Sequence, residues 1–208
     1  MDAGSAPGRV TVVGGPMFAG KTSELVRRVE RARIAGLEVL VVAHEVDTRS
    51  GPGRLVTHSG LEVASRAVGA ATEIPGLVVP GTRMVAVDEA QFFGADLVAV
   101  VQRLADDGVD VVVAGLTVTF DGRPFSPVPE LMALAEHVVR LTAVCSVCGR
   151  EAAYHVRTPG GGRSGDALNA MSAHVGGAEA YQARCRRHRV VDGPGSDAGQ
   201  SSTSGTKL

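Results

Sequence analysis

Apolar residues recur along this chain with two different periods. Short, mostly unbroken aliphatic runs stand at residues 10–13, 37–43, 84–87, 109–114 and 138–144. Runs of that kind, without apolar–polar alternation, suit strands buried on both faces. Elsewhere the spacing is helical. Leu25, Val29 and Ala32 recur among Glu24, Arg27, Arg28, Glu30, Arg31 and Arg33, and Gly36 stands where such a helix would end. Leu97, Val101 and Leu104 mark a second amphipathic helix over residues 95–107, and Pro129 ahead of residues 130–136 predicts a shorter third. Strands alternating with helices predict an α/β fold, a parallel sheet covered by helices on both sides. Residues 49–79 are richer in Gly, Pro and Thr, and the pieces 55–57 and 61–63 are expected to form a hairpin beside the main sheet.

The pattern changes at Cys145. From there to Val191 no long apolar run occurs, all three cysteines appear, and Pro159-Gly160-Gly161-Gly162 disfavours regular structure. The expected organisation is a flexible N-terminus over 1–8, an α/β domain over 9–144, a small second domain over 145–191 and a disordered tail over 192–208, which has almost nothing to bury. With 208 residues, 44% of them hydrophobic, the chain is long enough for one sizeable core and a small appendage.

Charge narrows the partners. Twenty-one basic residues against 22 acidic ones leave a formal charge of −1, so neither nucleic acid nor an anionic membrane is the expected partner. No apolar stretch approaches the roughly 20 residues of a membrane span, and Met1 to Gly8 carry no apolar block of a secretion signal. The expected compartment is the cytoplasm.

Three groupings carry chemistry. Gly15-Pro16-Met17-Phe18-Ala19-Gly20-Lys21-Thr22 fits G-x-x-x-x-G-K-[ST] between a strand pattern and a helix pattern. In such a phosphate loop, glycines let backbone N–H groups turn around an anion, the lysine adds a point charge and the threonine hydroxyl can ligate magnesium. Asp88 and Glu89 follow a buried strand directly, at the sheet edge where ligands collect. A carboxylate there suits magnesium, and its neighbour can reach a reacting hydroxyl; a solvated turn is the plainer alternative. Cys145-x-x-Cys148 and Cys185-x-x-His188 are two ligand pairs that together make a tetrahedral, closed and therefore structural zinc site. A redox pair, or three unrelated cysteines with a surface histidine, stays open at this point. Asp47-Thr48-Arg49 reads either as a cap or turn or as a phosphate or substrate clamp. Gly176-Gly177-Ala178-Glu179-Ala180-Tyr181 reads as a turn with one aromatic ring.

These motifs, in this order, resemble the type II, or cellular-type, thymidine kinases. The matching stretches are the phosphate loop, Asp47-Thr48-Arg49, D-E-x-Q-F-F from Asp88 to Phe93, a segment from Leu116 ending T-F-x-x-x-P-F at Phe125, L-T-A-V-C-x-x-C from Leu141, and G-G-A-E-x-Y-x-A-x-C-x-x-H from Gly176. The resemblance covers about residues 9 to 190. It implies a P-loop NTPase-type sheet with a zinc-ribbon-like lasso domain, and transfer of the γ-phosphoryl group of ATP, with magnesium, to the 5′-hydroxyl of deoxythymidine or deoxyuridine. Residues 15–22 with Asp88, Glu89, Ala90 and Gln91 would then serve the nucleotide and its metal, with Glu89 taking the proton from the sugar. Met17, Phe92, Leu116 and Phe120 would wall the thymine pocket, Arg49 would neutralise charge, backbone groups at Val175 and Gly176 would read the pyrimidine edge, and Tyr181 would contact the sugar. His155 stands where the family commonly has a threonine facing the base. The family further implies a homotetramer inhibited by dTTP.

Two rivals use the same residues. A DNA-associated P-loop ATPase with a zinc knuckle would draw on Arg184, Arg186, Arg187 and Arg189, but the chain is neutral and has only seven aromatic side chains for stacking. A kinase for purine or other small-molecule acceptors would differ only in its pocket.

Overall fold

A computed structural model of the chain describes residues 6–47, 53–57, 60–158 and 180–189. The expectations for Arg49, Val175, Gly176 and the tail lie outside those residues.

In chain order the main elements are β1 (Val10–Gly15), α1 (Lys21–Ile34), β2 (Glu38–His44), β3 (Arg54–Val56), β4 (Glu62–Ala64), β5 (Arg66–Val68), β6 (Thr82–Val87), α2 (Asp96–Asp106), β7 (Asp110–Leu116), α3 (Val128–Leu134) and β8 (His137–Arg140). Six strands form one parallel sheet in the order β5-β2-β6-β7-β1-β8. The aliphatic runs explain its two covered faces. Val10, Val12, Val85, Val87, Val111 and Val113 point to α2, α3 and the 3-10 turn Ala71–Leu77; Val13, Val41, Ala86, Val112 and Ala114 point to α1 and the β3–β4 hairpin. Alternate residues of one run therefore enter different cores, which is why no polar position interrupts it.

Helix α1 ends as its sequence predicts. Gly36 has φ +76°, and Leu37 N–H reaches Ala32 C=O at 3.0 Å while Gly36 N–H reaches Arg33 C=O at 2.9 Å. This is a Schellman closure, which needs the left-handed residue that glycine supplies without strain. In α2, Leu97, Val101 and Leu104 are all buried, contributing about 2 kcal/mol each. The hairpin predicted from residues 55–57 and 61–63 pairs Leu55 with Val63.

One strand expectation is corrected. The run 138–144 is two strands in different sheets. β8 is an exposed edge, with Val138 39% accessible, and its ladder closes where Leu141 N–H donates to Gly14 C=O at 2.8 Å. The chain then leaves the sheet, and β9 (Ala143–Val144) pairs antiparallel with β10 (Glu151–Ala152). Beyond it β11 (Tyr154–Arg157) pairs with β12 (Tyr181–Arg184). Among the described residues no helix is long and apolar enough to cross a membrane.

Candidate active site

The phosphate loop links β1 to α1 at the carboxyl edge of the sheet. Two glycines have separate reasons to be there. A Cβ on Gly15 would stand 2.7 Å from Leu141 O, so the backbone passes too close for any side chain. Gly20 has φ +82° with open space around it, so its requirement is conformational. Phe18 is also left-handed, at φ 66°, and 37% exposed. Lys21, buried at the start of α1, donates from Nζ to Pro16 O at 2.8 Å, folding the lysine back over its own loop.

Thr22 and Asp88 come from different elements and meet. Thr22 Oγ1 donates to Asp88 Oδ2 at 2.9 Å, and Asp88 is 1% exposed. Two oxygens that far apart match one edge of a magnesium octahedron, which is about 2.9 Å for metal–oxygen bonds of about 2.05 Å. The donors are hard oxygens, as magnesium requires. Asp88 is set by the sheet, since its N–H donates to Val42 O on β2 at 2.9 Å.

Glu89 sits next to it in a left-handed conformation, φ 51°, at the start of the 3-10 turn Ala90–Phe92. That backbone costs a non-glycine residue on the order of 1 kcal/mol and turns the buried carboxylate away from the strand direction. Gln91 Nε2 donates to Glu89 Oε2 in a short hydrogen bond, while Gln91 Oε1 accepts Leu116 N–H at 2.9 Å. The amide thereby fixes the carboxylate to the end of β7. The resemblance implies Gln91 as a nucleotide contact; its side chain here bonds Glu89 and Leu116 N–H.

An apolar cluster lies beside these groups. Met17, Leu116, Phe125 and Tyr181 are buried in it, with Phe120 and Ala180 packed on its edge. Of the expected pocket walls, Met17, Leu116 and Phe120 are thus brought together, and Tyr181, the expected sugar contact, lies with them. Phe92 is buried but outside that cluster, its ring 6.0 Å from that of His44. Phe125 was missed as a wall, although it closes the T-F-x-x-x-P-F segment. His155 is fully buried between the two parts of the site. Its Nδ1 accepts Met17 N–H at 3.5 Å, and its ring lies edge-on to Tyr181 at 5.8 Å. Arg157 covers the Phe120 ring at 4.2 Å.

The second module gathers Cys145, Cys148, Cys185 and His188, whose ligand atoms all lie within 4.8 Å of one another. Cys148 Sγ and Cys185 Sγ are 3.8 Å apart, and His188 Nδ1 is 3.4 Å from Cys185 Sγ and 3.7 Å from Cys145 Sγ. A zinc tetrahedron with bonds of about 2.3 Å to sulfur and 2.05 Å to nitrogen has edges of about 3.8 and 3.6 Å, so the four donors fit that ion. The sulfur separation is far too long for a disulfide. Thiol acidity points the same way. Burial pushes the Cys145 thiol up, but hydrogen bonds with backbone at Cys185, Val147 and Cys148 and with the His188 ring outweigh it and bring it down to about 5. The Arg150 backbone lowers the Cys148 thiol, yet burial and the Cys145 and Cys185 sulfurs prevail and leave it raised. Crowded sulfurs that resist sharing charge are stabilised by a divalent cation.

Some of the positive charge elsewhere is met within the fold. A hollow of about 670 Å³ at the opposite end of the strands is lined by Arg9, Arg27, Arg28, Arg31 and His137 among others. Glu24 holds both Arg27, at 2.6 Å, and Arg28, at 2.8 Å. In the metal module, Arg186 and Arg189 lie 5.3 and 5.1 Å from the Tyr154 ring centre, and Arg184 bonds Gln182 and Ser146.

Known proteins share this arrangement of sequence. The model of a family described as thymidine kinase matches residues 8–189. A protein named thymidine kinase from Bdellovibrio bacteriovorus is 44% identical over 189 residues, covering 90% of this chain and 89% of that protein. Two proteins of the same name from strains of Halobacterium salinarum are each 45% identical over 188 residues, covering 88% of this chain and 95% of theirs. A match over nearly the whole length, with relatives at this identity, places the chain in the thymidine kinase family.

Proposed function

We propose that the chain transfers the γ-phosphoryl group of ATP to the 5′-hydroxyl of thymidine, giving thymidine monophosphate for pyrimidine salvage, with deoxyuridine as a second acceptor. The observation that carries this is the meeting of Thr22 and Asp88 at 2.9 Å beside the Gln91-braced carboxylate of Glu89. Phosphoryl transfer has a loose transition state, so alignment and charge neutralisation do most of the work. Backbone amides of residues 15–20 and the Lys21 ammonium would bracket the phosphates. Thr22 and Asp88 would hold magnesium, which on binding neutralises charge shared by the β- and γ-phosphate oxygens. Glu89 would orient the acceptor hydroxyl and take its proton as the new P–O bond forms; Ala90 and Gln91 keep it in place.

The acceptor side rests on the apolar cluster and the metal module. Met17, Leu116, Phe120 and Phe92 would wall a pyrimidine, Tyr181 would touch the sugar, and His155 would stand against the base. Val175 and Gly176 would read its edge through the backbone, and Arg49 would offset charge near the reacting phosphate. Cys145, Cys148, Cys185 and His188 would hold a structural zinc, which fixes the roots of β11 and β12 and so the ends of the segment between them. Family membership supports two further properties of this reading, a homotetramer and inhibition by dTTP.

Steady-state kcat/KM for thymidine, deoxyuridine, deoxycytidine and deoxyguanosine, with ATP and magnesium, tests the reading. Thymidine should lead, with deoxyuridine second. A purine deoxynucleoside in first place would overturn the acceptor assignment.

A further inference from the structure

His44 is a buried imidazole that the proposed chemistry leaves unused. It ends β2, one strand over from the β6 edge that carries Asp88 and Glu89, and is 4% exposed. Its ring stands edge-to-face at 4.8 Å from Phe93 and 6.0 Å from Phe92. Those two phenylalanines belong to the turn that holds Glu89: Phe92 N–H donates to Glu89 O at 3.0 Å, and Phe93 N–H to Ala90 O at 3.1 Å. On its other side His44 organises the turn that precedes Thr48 and Arg49. Its Nδ1 accepts Val46 N–H at 3.2 Å, and its carbonyl accepts Asp47 N–H at 2.9 Å.

An Nδ1 that accepts a hydrogen bond carries no proton, so the neutral ring is the Nε2–H tautomer. Protonation would set an Nδ1–H against Val46 N–H, two donors face to face, and would place a charge on a buried ring. Burial, the largest influence, pushes its pKa down. Glu45 at the end of the same strand, Gly69 and Glu73 on the 71–77 turn push it up without prevailing.

Resting on the thymidine kinase reading above, we propose that His44 is a positioning residue for the phosphoryl transfer. As a neutral ring it braces the Phe92–Phe93 turn against the Asp47 turn and so fixes the Glu89 carboxylate and the Phe92 face relative to the acceptor. Protonation releases both turns, and acceptor binding weakens while the phosphate loop is untouched.

Two measurements on the full-length protein test this. Long-range 1H–15N NMR, with the His44 signal assigned from its loss in His44→Asn, reads the tautomer and its titration without any assay of activity. The expected result is an Nε2–H tautomer that takes up its second proton below the ordinary imidazole range. Kinetics from acid to neutral pH then compare wild type, His44→Leu and His44→Asn, whose Oδ1 replaces the Nδ1 acceptor. His44→Leu should raise the thymidine KM about tenfold and leave the ATP KM within about twofold. His44→Asn should restore the thymidine KM to within about threefold and lose the part of the acid limb of kcat/KM that follows the imidazole, while the part that follows the Glu89 carboxylate remains. An Nδ1–H tautomer, an unchanged thymidine KM in His44→Leu, or an acid limb in His44→Asn that is superimposable on that of wild type overturns the proposal. Should His44→Leu not fold, the tautomer and His44→Asn still decide it. A wild-type protein that phosphorylates no thymidine refutes the parent reading, whereas active variants with wild-type KM and pH profile refute only this one.

Discussion

Replacing Glu89 by glutamine removes a negative charge and a proton acceptor while keeping the shape. The side chain is buried, but Gln91 Nε2 donates to one of its oxygens, and a glutamine carbonyl can take the same bond. The brace from Gln91 to Leu116 N–H at 2.9 Å is therefore retained, and stability should change by no more than about 1–2 kcal/mol. ATP binding should also survive, because Lys21, Thr22 and Asp88 are untouched. What is lost is the proposed general base. Such groups contribute about 10²- to 10⁴-fold, and a loose transition state puts the expected loss at the low end, about 10²- to 10³-fold in kcat, or about 2.7–4 kcal/mol. Initial rates of ADP release give kcat, calorimetry gives ATP and thymidine affinity, and thermal melting checks the fold. A Glu89→Gln protein with kcat within about threefold of wild type, or one that has lost ATP affinity, would refute the assignment.

Three further outcomes follow from the same structure. Metal analysis should find close to one zinc per chain, and Cys185→Ser should lose the metal and raise the thymidine KM while sparing the ATP KM; a metal-free protein of full activity would contradict the zinc role. Leu97→Ala, at a fully buried position on α2 remote from the phosphate loop, should cost about 2–5 kcal/mol of stability in denaturant titration and leave kcat unchanged. Stability should fall in acid partly through His44. Its folded pKa lies below its ordinary value of 6.5, so the unfolded chain takes the proton first, and the contribution is complete above 6.5 and lost as pH falls from there through the folded value. The melting temperature of His44→Asn should accordingly decline less than that of wild type over that window.

Much of this was legible from residue order because it depends on local patterns. The phosphate loop is contiguous, the four residues proposed to hold zinc come in two short pairs, and buried parallel strands announce themselves as unbroken aliphatic runs. Where reading failed, the determining contact was distant in sequence. The run at 138–144 looks continuous, yet the strand ends where Gly14 accepts Leu141 N–H and a second sheet begins with the Ala143–Ala152 pair. The three residues of β5 hold one buried side chain, Val68, too little for any periodic signal. Gln91 and His44 act through partners at Leu116 and at Phe92 and Phe93. No spacing rule reports such pairings, since they exist only once the sheet has brought its strand ends together.

The central claim is that one sheet edge grips a nucleoside triphosphate while a metal-fixed module presents a pyrimidine deoxynucleoside to it. Incubating the purified protein with magnesium, γ-32P-labelled ATP and thymidine, then separating the products, tests it most directly. The account predicts label in thymidine 5′-monophosphate, dependent on Lys21 and Glu89; label that stays in ATP or appears only as inorganic phosphate would contradict it.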